Sequence, residues 1–113
     1  MQPMQVAMAE KRQSRARPSH PGSILREHFL RPHGLSSYRV AKAIGVPLPR
    51  LNDIVLEKRG ISAEMGVLLA RYFGTSEDFF VNLQCDFDRR NAERALKSRL
   101  AAIKPVAGIE PGS

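Results

Sequence analysis

The chain has 113 residues, 18 Lys and Arg against 11 Asp and Glu, a formal net charge of +7 and 42% hydrophobic residues. That is enough for one small core with tails, and the positive balance favours a polyanionic partner. No apolar run reaches the roughly 20 residues of a membrane span, so no membrane association is expected; the single cysteine, Cys85, forms no internal disulfide and points to a reducing, cytoplasmic setting.

Residues 1–19 mix Gln, Arg, Ser and Pro without an apolar period and read as a flexible basic tail. They hold charges but no apolar h-region, so no secretory signal is expected. A first helix opens at Pro21, a residue suited to the first turn. Ile24, Leu25, His28 and Phe29 form its apolar face, and Pro32 and Gly34 end it. Ser36 caps a second helix whose inner face is Val40, Ala41 and Ile44.

Gly45 permits the positive φ of a tight turn, and a third helix starts near Pro47 or Leu48. Pro47 and Pro49 are tolerated there because first-turn amides have no intrahelical partner. Leu51, Ile54 and Val55 bury one face, and Lys58-Arg59-Gly60 make the exit loop. Two short helices around a glycine, with one face of the second left free, are the build of a helix-turn-helix. Ser62 caps a fourth helix with Met65, Leu68, Leu69 and Tyr72 inside, and Gly74 closes it.

Thr75 or Ser76 caps a fifth helix, whose Phe80, Leu83 and Phe87 face the core. Beyond them Ala92, Leu96, Leu100 and Ile103 continue an apolar stripe that a five-helix core does not need. That stripe is expected to be a dimer or partner contact, and Pro105 begins a flexible tail over 105–113. The expected organisation is therefore a tail (1–19), a helix-turn-helix domain with an extended C-terminal helix (20–104), and a second tail (105–113). The fold class is all-α with five helices.

Charge is unevenly placed. Residues 21–60 carry a net +4, residues 61–85 a net −2, residues 1–20 a net +3 and residues 86–113 a net +2. A basic face on the helix-turn-helix half follows from this distribution. The tail bases Lys11, Arg12, Arg15 and Arg17 suit a solubilising or partner-contacting role, with a minor-groove arm as the alternative.

Catalysis finds little in the sequence. His20, His28 and His33 lack a metal-ligand spacing with cysteine or acids, so no metal or other cofactor is expected. His28 reads as a core-edge residue. Cys85 has no second cysteine or evident base and reads as a small packed or half-buried residue. No phosphate-cradling glycine loop is present, and the chain is not expected to be an enzyme.

Several stretches carry a resemblance. His20-Pro21-Gly22-Ser23-Ile24-Leu25, Leu35-Ser36, Ala41-Lys42, Gly45-Val46-Pro47, Arg50-Leu51-Asn52, Lys58-Arg59-Gly60-Ile61, Gly74-Thr75-Ser76 and Phe79-Phe80-Val81-Asn82-Leu83-Gln84 together resemble the HigA-type antitoxins. These belong to the Xre-like (lambda-repressor-like) helix-turn-helix group. The resemblance spans residues 20 to about 90. It implies a homodimer that binds double-stranded operator DNA and represses its own operon. It also implies neutralisation of a RelE-like (HigB-type) toxin that cleaves mRNA, which the Ala92, Leu96, Leu100 and Ile103 stripe or the tail bases would then contact.

The resemblance further implies that the first two turns of the third helix face base edges. Those positions hold Leu48, Pro49, Arg50, Asn52 and Asp53. Leu48 and Pro49 have no side-chain donor and can only pack on thymine methyls, Arg50 suits guanine or phosphate, Asn52 suits adenine or the backbone, and Asp53 can accept from cytosine. Ser36, Ser37, Arg39, Lys42, Lys58 and Arg59 are the phosphate candidates, which add affinity and salt dependence but little sequence choice. Two other readings stay open. One is a toxin-binding module without specific DNA recognition; the other is a stand-alone Xre-like regulator.

Overall fold

The computed structural model describes residues 18–108. Among these residues six helices follow in order: α1 is a helical turn over Pro21–Ile24 running straight into a π-helical stretch over Leu25–Leu30, α2 is Ser37–Ile44, α3 Leu48–Val55, α4 Ala63–Phe73, α5 Phe79–Ala95 and α6 Lys97–Ala102. No strand occurs among the described residues. The tail bases Lys11, Arg12, Arg15 and Arg17 lie outside them.

Local chemistry explains most of the element ends. Pro21 opens α1, and the His20 imidazole Nδ1 accepts from the Gly22 amide at 2.8 Å, filling an otherwise unpaired first-turn donor. The Ser36 hydroxyl accepts from the Arg39 amide and the Ser62 hydroxyl from the Met65 amide, both at 3.1 Å. Gly45 ends α2 at φ 75°, ψ 37°, and the amide of Val46 returns to the Ala41 carbonyl at 3.0 Å. That left-handed residue lets the chain reverse within two positions and start α3.

The core gathers one face of each of α1 to α5. Leu25 and Leu30 come from α1, Val40 and Ala41 from α2, Leu51, Ile54 and Val55 from α3, Met65, Leu69 and Ala70 from α4, and Phe80 from α5, with Ile61 between α3 and α4. Phe29, Phe73 and Phe79 ring Phe80. Helix α1 approaches α3 so closely that a Cβ on Gly22 would stand 1.8 Å from the Ile54 carbonyl oxygen. Only glycine fits there.

The structure corrects several expectations. The wide π turn places Leu25 and Leu30, five apart, on the buried side. His28, expected at the core edge, is exposed. In α4 the buried side is the Met65–Leu69 row, leaving Leu68 and Tyr72 on the flank at 39% and 38% exposure. Cys85, expected to be packed or half-buried, is exposed because α5 turns that position away from the core. Neither Thr75 nor Ser76 caps α5: Asp78 sits at the cap position, its side chain bonds no first-turn amide, and its carboxylate accepts from the Ser76 hydroxyl instead. The expected long fifth helix breaks at Leu96 (φ −104°, ψ 15°), so α6 is a separate short helix and Ile103 is extended backbone beyond it.

Candidate nucleic-acid interface

Helices α2 and α3 pack directly on each other around Gly45. Leu51, Ile54 and Val55 anchor α3 from below. Because those three positions recur at helical spacing, the opposite face of α3 is left outward. Its first turn presents Leu48, Pro49 and Arg50, all exposed, and Asn52 and Asp53 follow half-buried. The Arg50 amide donates to the Pro47 carbonyl at 3.1 Å and Pro49 has no N–H, so this end of α3 presents side chains rather than a row of free amides.

The phosphate candidates divide between the two ends of this helix pair. Ser36, Arg39 and Lys42 are exposed and Ser37 half-buried on α2. Lys42 stands 5.8 Å from the Tyr38 ring centroid, which holds the ammonium over an aromatic face. Tyr38 itself is 59% exposed beside it, four residues earlier on the same face of α2. Lys58 and Arg59 are exposed on the loop after α3, where Arg59 reaches the Asp53 carboxylate at 3.9 Å. Asp53 therefore has a cation nearby that offsets its negative charge on this face.

Ala92, Leu96, Leu100 and Ile103 belong to a different part of the fold, on α5, α6 and the segments that flank α6. Leu96 is half-buried, Ala92 exposed, and Leu100 and Ile103 are 46% and 65% exposed. None of the four joins the buried core cluster.

Three further residues shape the site, and their roles do not follow from sequence spacing. His20 caps α1 and stacks edge-on against Phe87 at 5.0 Å. Arg26 donates to the Val55 carbonyl at 2.6 Å and to Glu57 at 3.1 Å. Gln84 accepts from the Ile61 amide at 2.7 Å. His20 and Gln84 stand in recognisable sequence motifs, but the partners of Arg26 are 29 and 31 residues away and leave no local signal.

Burial lowers the His20 pKa, against the opposing pull of the Glu57 and Asp88 carboxylates and with a smaller push from Arg26. The folded state thus binds fewer protons at this ring than the unfolded chain. Its stabilisation is fully present above about pH 6.5, the unperturbed value, and is lost as pH falls through the lowered folded value. Protonation also turns Nδ1 from acceptor to donor against the Gly22 amide. Urea midpoints of the wild type and His20→Ala should differ more at pH 8 than at pH 5. A gap that widens on acidification would contradict this assignment.

Among the described residues no group of His, Cys, Asp and Glu is placed to hold a metal ion. No helix among them is long and apolar enough to cross a membrane.

Comparison with known proteins bears on the same region. The HTH_3 helix-turn-helix family model matches residues 25–80. Virulence-associated protein I of Dichelobacter nodosus is 46% identical over 79 residues, covering 70% of this chain and 73% of that protein. The structure of Pseudomonas aeruginosa antitoxin HigA with the higBA promoter superposes with a TM-score of 0.74 at 44% identity, covering 80% of this chain and 99% of that one. Antitoxin GraA in complex with its operator gives a TM-score of 0.75 at 38% identity, covering 81% and 94%.

Proposed function

Since this chain belongs to the HigA-type antitoxins of the Xre-like helix-turn-helix family, we propose that it binds its own operator as a homodimer, represses that operon and neutralises a RelE-like (HigB-type) toxin. The observation that carries the DNA role is the outward face of α3, with Leu48, Pro49 and Arg50 exposed over a fully buried Leu51. In this reading Arg50, Asn52 and Asp53 meet base edges, and Leu48 and Pro49 pack on thymine methyls. Ser36, Ser37, Arg39 and Lys42 meet phosphates at one end of the helix pair, and Lys58 and Arg59 at the other. The HigA and GraA structures, solved with promoter and operator DNA, support it.

The half-exposed stripe of Leu96, Leu100 and Ile103, with Ala92, supplies the dimer or toxin contact. A two-fold dimer would set its recognition helices about 34 Å apart, one turn of B-DNA. The place of action is the cytoplasm, where operator and mRNA-cleaving toxin are both found.

Two experiments test the reading. Arg50→Ala should weaken operator binding by about 1–3 kcal/mol and relax preference at one base pair, if the guanidinium bonds a guanine edge. Equal weakening on operator and random duplex would reassign Arg50 to phosphate. Co-expression with the neighbouring toxin reading frame should restore growth and yield a co-purifying complex; continued growth arrest would remove the antitoxin role.

A further inference from the structure

The loop between α3 and α4 is held at both ends by side chains from other helices. At its entry, Arg26 from α1 donates Nη1 to the Val55 carbonyl at 2.6 Å and Nη2 to the Glu57 carboxylate at 3.1 Å, while its Nε bonds Glu27 at 3.0 Å. Glu57 sits at φ 64°, the one non-glycine residue with positive φ among the described residues. That left-handed residue closes α3 as a helix cap, with the Glu57 amide returning to the Ile54 carbonyl at 2.9 Å and the Lys58 amide to the Asp53 carbonyl at 2.8 Å. At the exit, Gln84 from α5 accepts from the Ile61 amide at 2.7 Å and donates to Asp88 at 2.9 Å. Gly60 lies against the same amide: a Cβ there would stand 2.8 Å from Gln84 Oε1. Between the two clamps stand Lys58 and Arg59, both exposed.

We propose that Arg26 and Gln84 are positioning residues for DNA binding, fixing this loop so that Lys58 and Arg59 are set beside α3 for the phosphate backbone before any DNA arrives. The proposal rests on the reading of this chain as a DNA-binding protein. A loop ordered in advance loses less freedom on binding. Arg26 does not serve as a phosphate contact itself, because two carboxylates and a carbonyl already occupy its guanidinium. A lysine in its place cannot bond the carbonyl and the carboxylate in the same fork geometry.

The test is fluorescence anisotropy of the full chain on two duplexes across a salt series. One duplex is taken from directly upstream of its own coding sequence and the other is a scrambled version. Arg26→Met and Gln84→Met, checked for retained helical circular dichroism, should each weaken both duplexes about tenfold and reduce the salt slope by about one. Arg26→Lys should lose as much as Arg26→Met. In a Lys58→Ala/Arg59→Ala background neither clamp substitution should weaken binding further, since the cations they position are gone. An unchanged salt slope, full binding by Arg26→Lys, or losses that add in the doubly substituted background would overturn the proposal. If Arg26→Met fails to fold, Gln84→Met alone decides between these outcomes. Wild type that binds neither duplex would overturn the DNA reading itself, and the clamp with it.

Discussion

Phe80→Ala is expected to lower stability by about 3–5 kcal/mol, as large-to-small changes at buried aromatic positions do. Phe80 is fully buried, and its ring meets Phe29 from α1 at 5.0 Å, Phe73 from α4 at 6.1 Å and Phe79 from α5 at 5.0 Å. Truncation removes both the apolar area and the shared neighbour of three rings, which add aromatic attraction to plain burial. No flexible side chain stands by among these ring neighbours to refill the space. Calorimetry should show a Tm lower by at least about 12 °C for a domain of this size. Phe79→Ala, at a half-buried position, should cost less. A Phe80→Ala protein that melts within a few degrees of wild type would mean that the aromatic cluster is not the keystone of the α1–α4–α5 packing.

Leu51→Ala is the second large effect, at about 2–5 kcal/mol. Leu51 is fully buried in the middle of α3, flanked by Ile54 and Val55 on the same face. Its loss acts on two levels. The cavity lowers global stability, and α3, only eight residues long, is left with Ile54 and Val55 near its end to hold its angle against α2. Operator affinity should therefore fall even at temperatures where the variant remains folded. Denaturation in urea and anisotropy on the same samples separate the two effects. Unchanged melting would place Leu51 on the surface and refute the assignment of the outward face.

These two positions were legible in the sequence because apolar spacing and turn chemistry agreed around them. Gly45, Ser36 and Ser62 announce element ends through their own backbone and hydroxyl chemistry, and each does in the structure what its residue type favours. Legibility fails where a distant element chooses between equivalent local options. Leu68 and Leu69 are adjacent on α4, and the seats of α2 and α5 against it decide which of them is buried. The π turn in α1 leaves no local sign, so the side taken by His28 and Leu30 could not follow from a 3.6-residue period. Leu96 continues an apolar spacing through a helix break. At the candidate interface the residue types on α3 were readable, but the clamp of Arg26 on Val55 and Glu57 was not, because it joins residues far apart in the chain.

The most direct measurement is anisotropy of the wild-type protein on the duplex upstream of its own coding sequence against a scrambled duplex, from low to physiological salt. A sequence-specific repressor should show a preference of about 10³ or more that persists at physiological salt. Equal and steeply salt-sensitive binding to both duplexes, or none to either, would contradict operator recognition and leave toxin binding as the function to pursue.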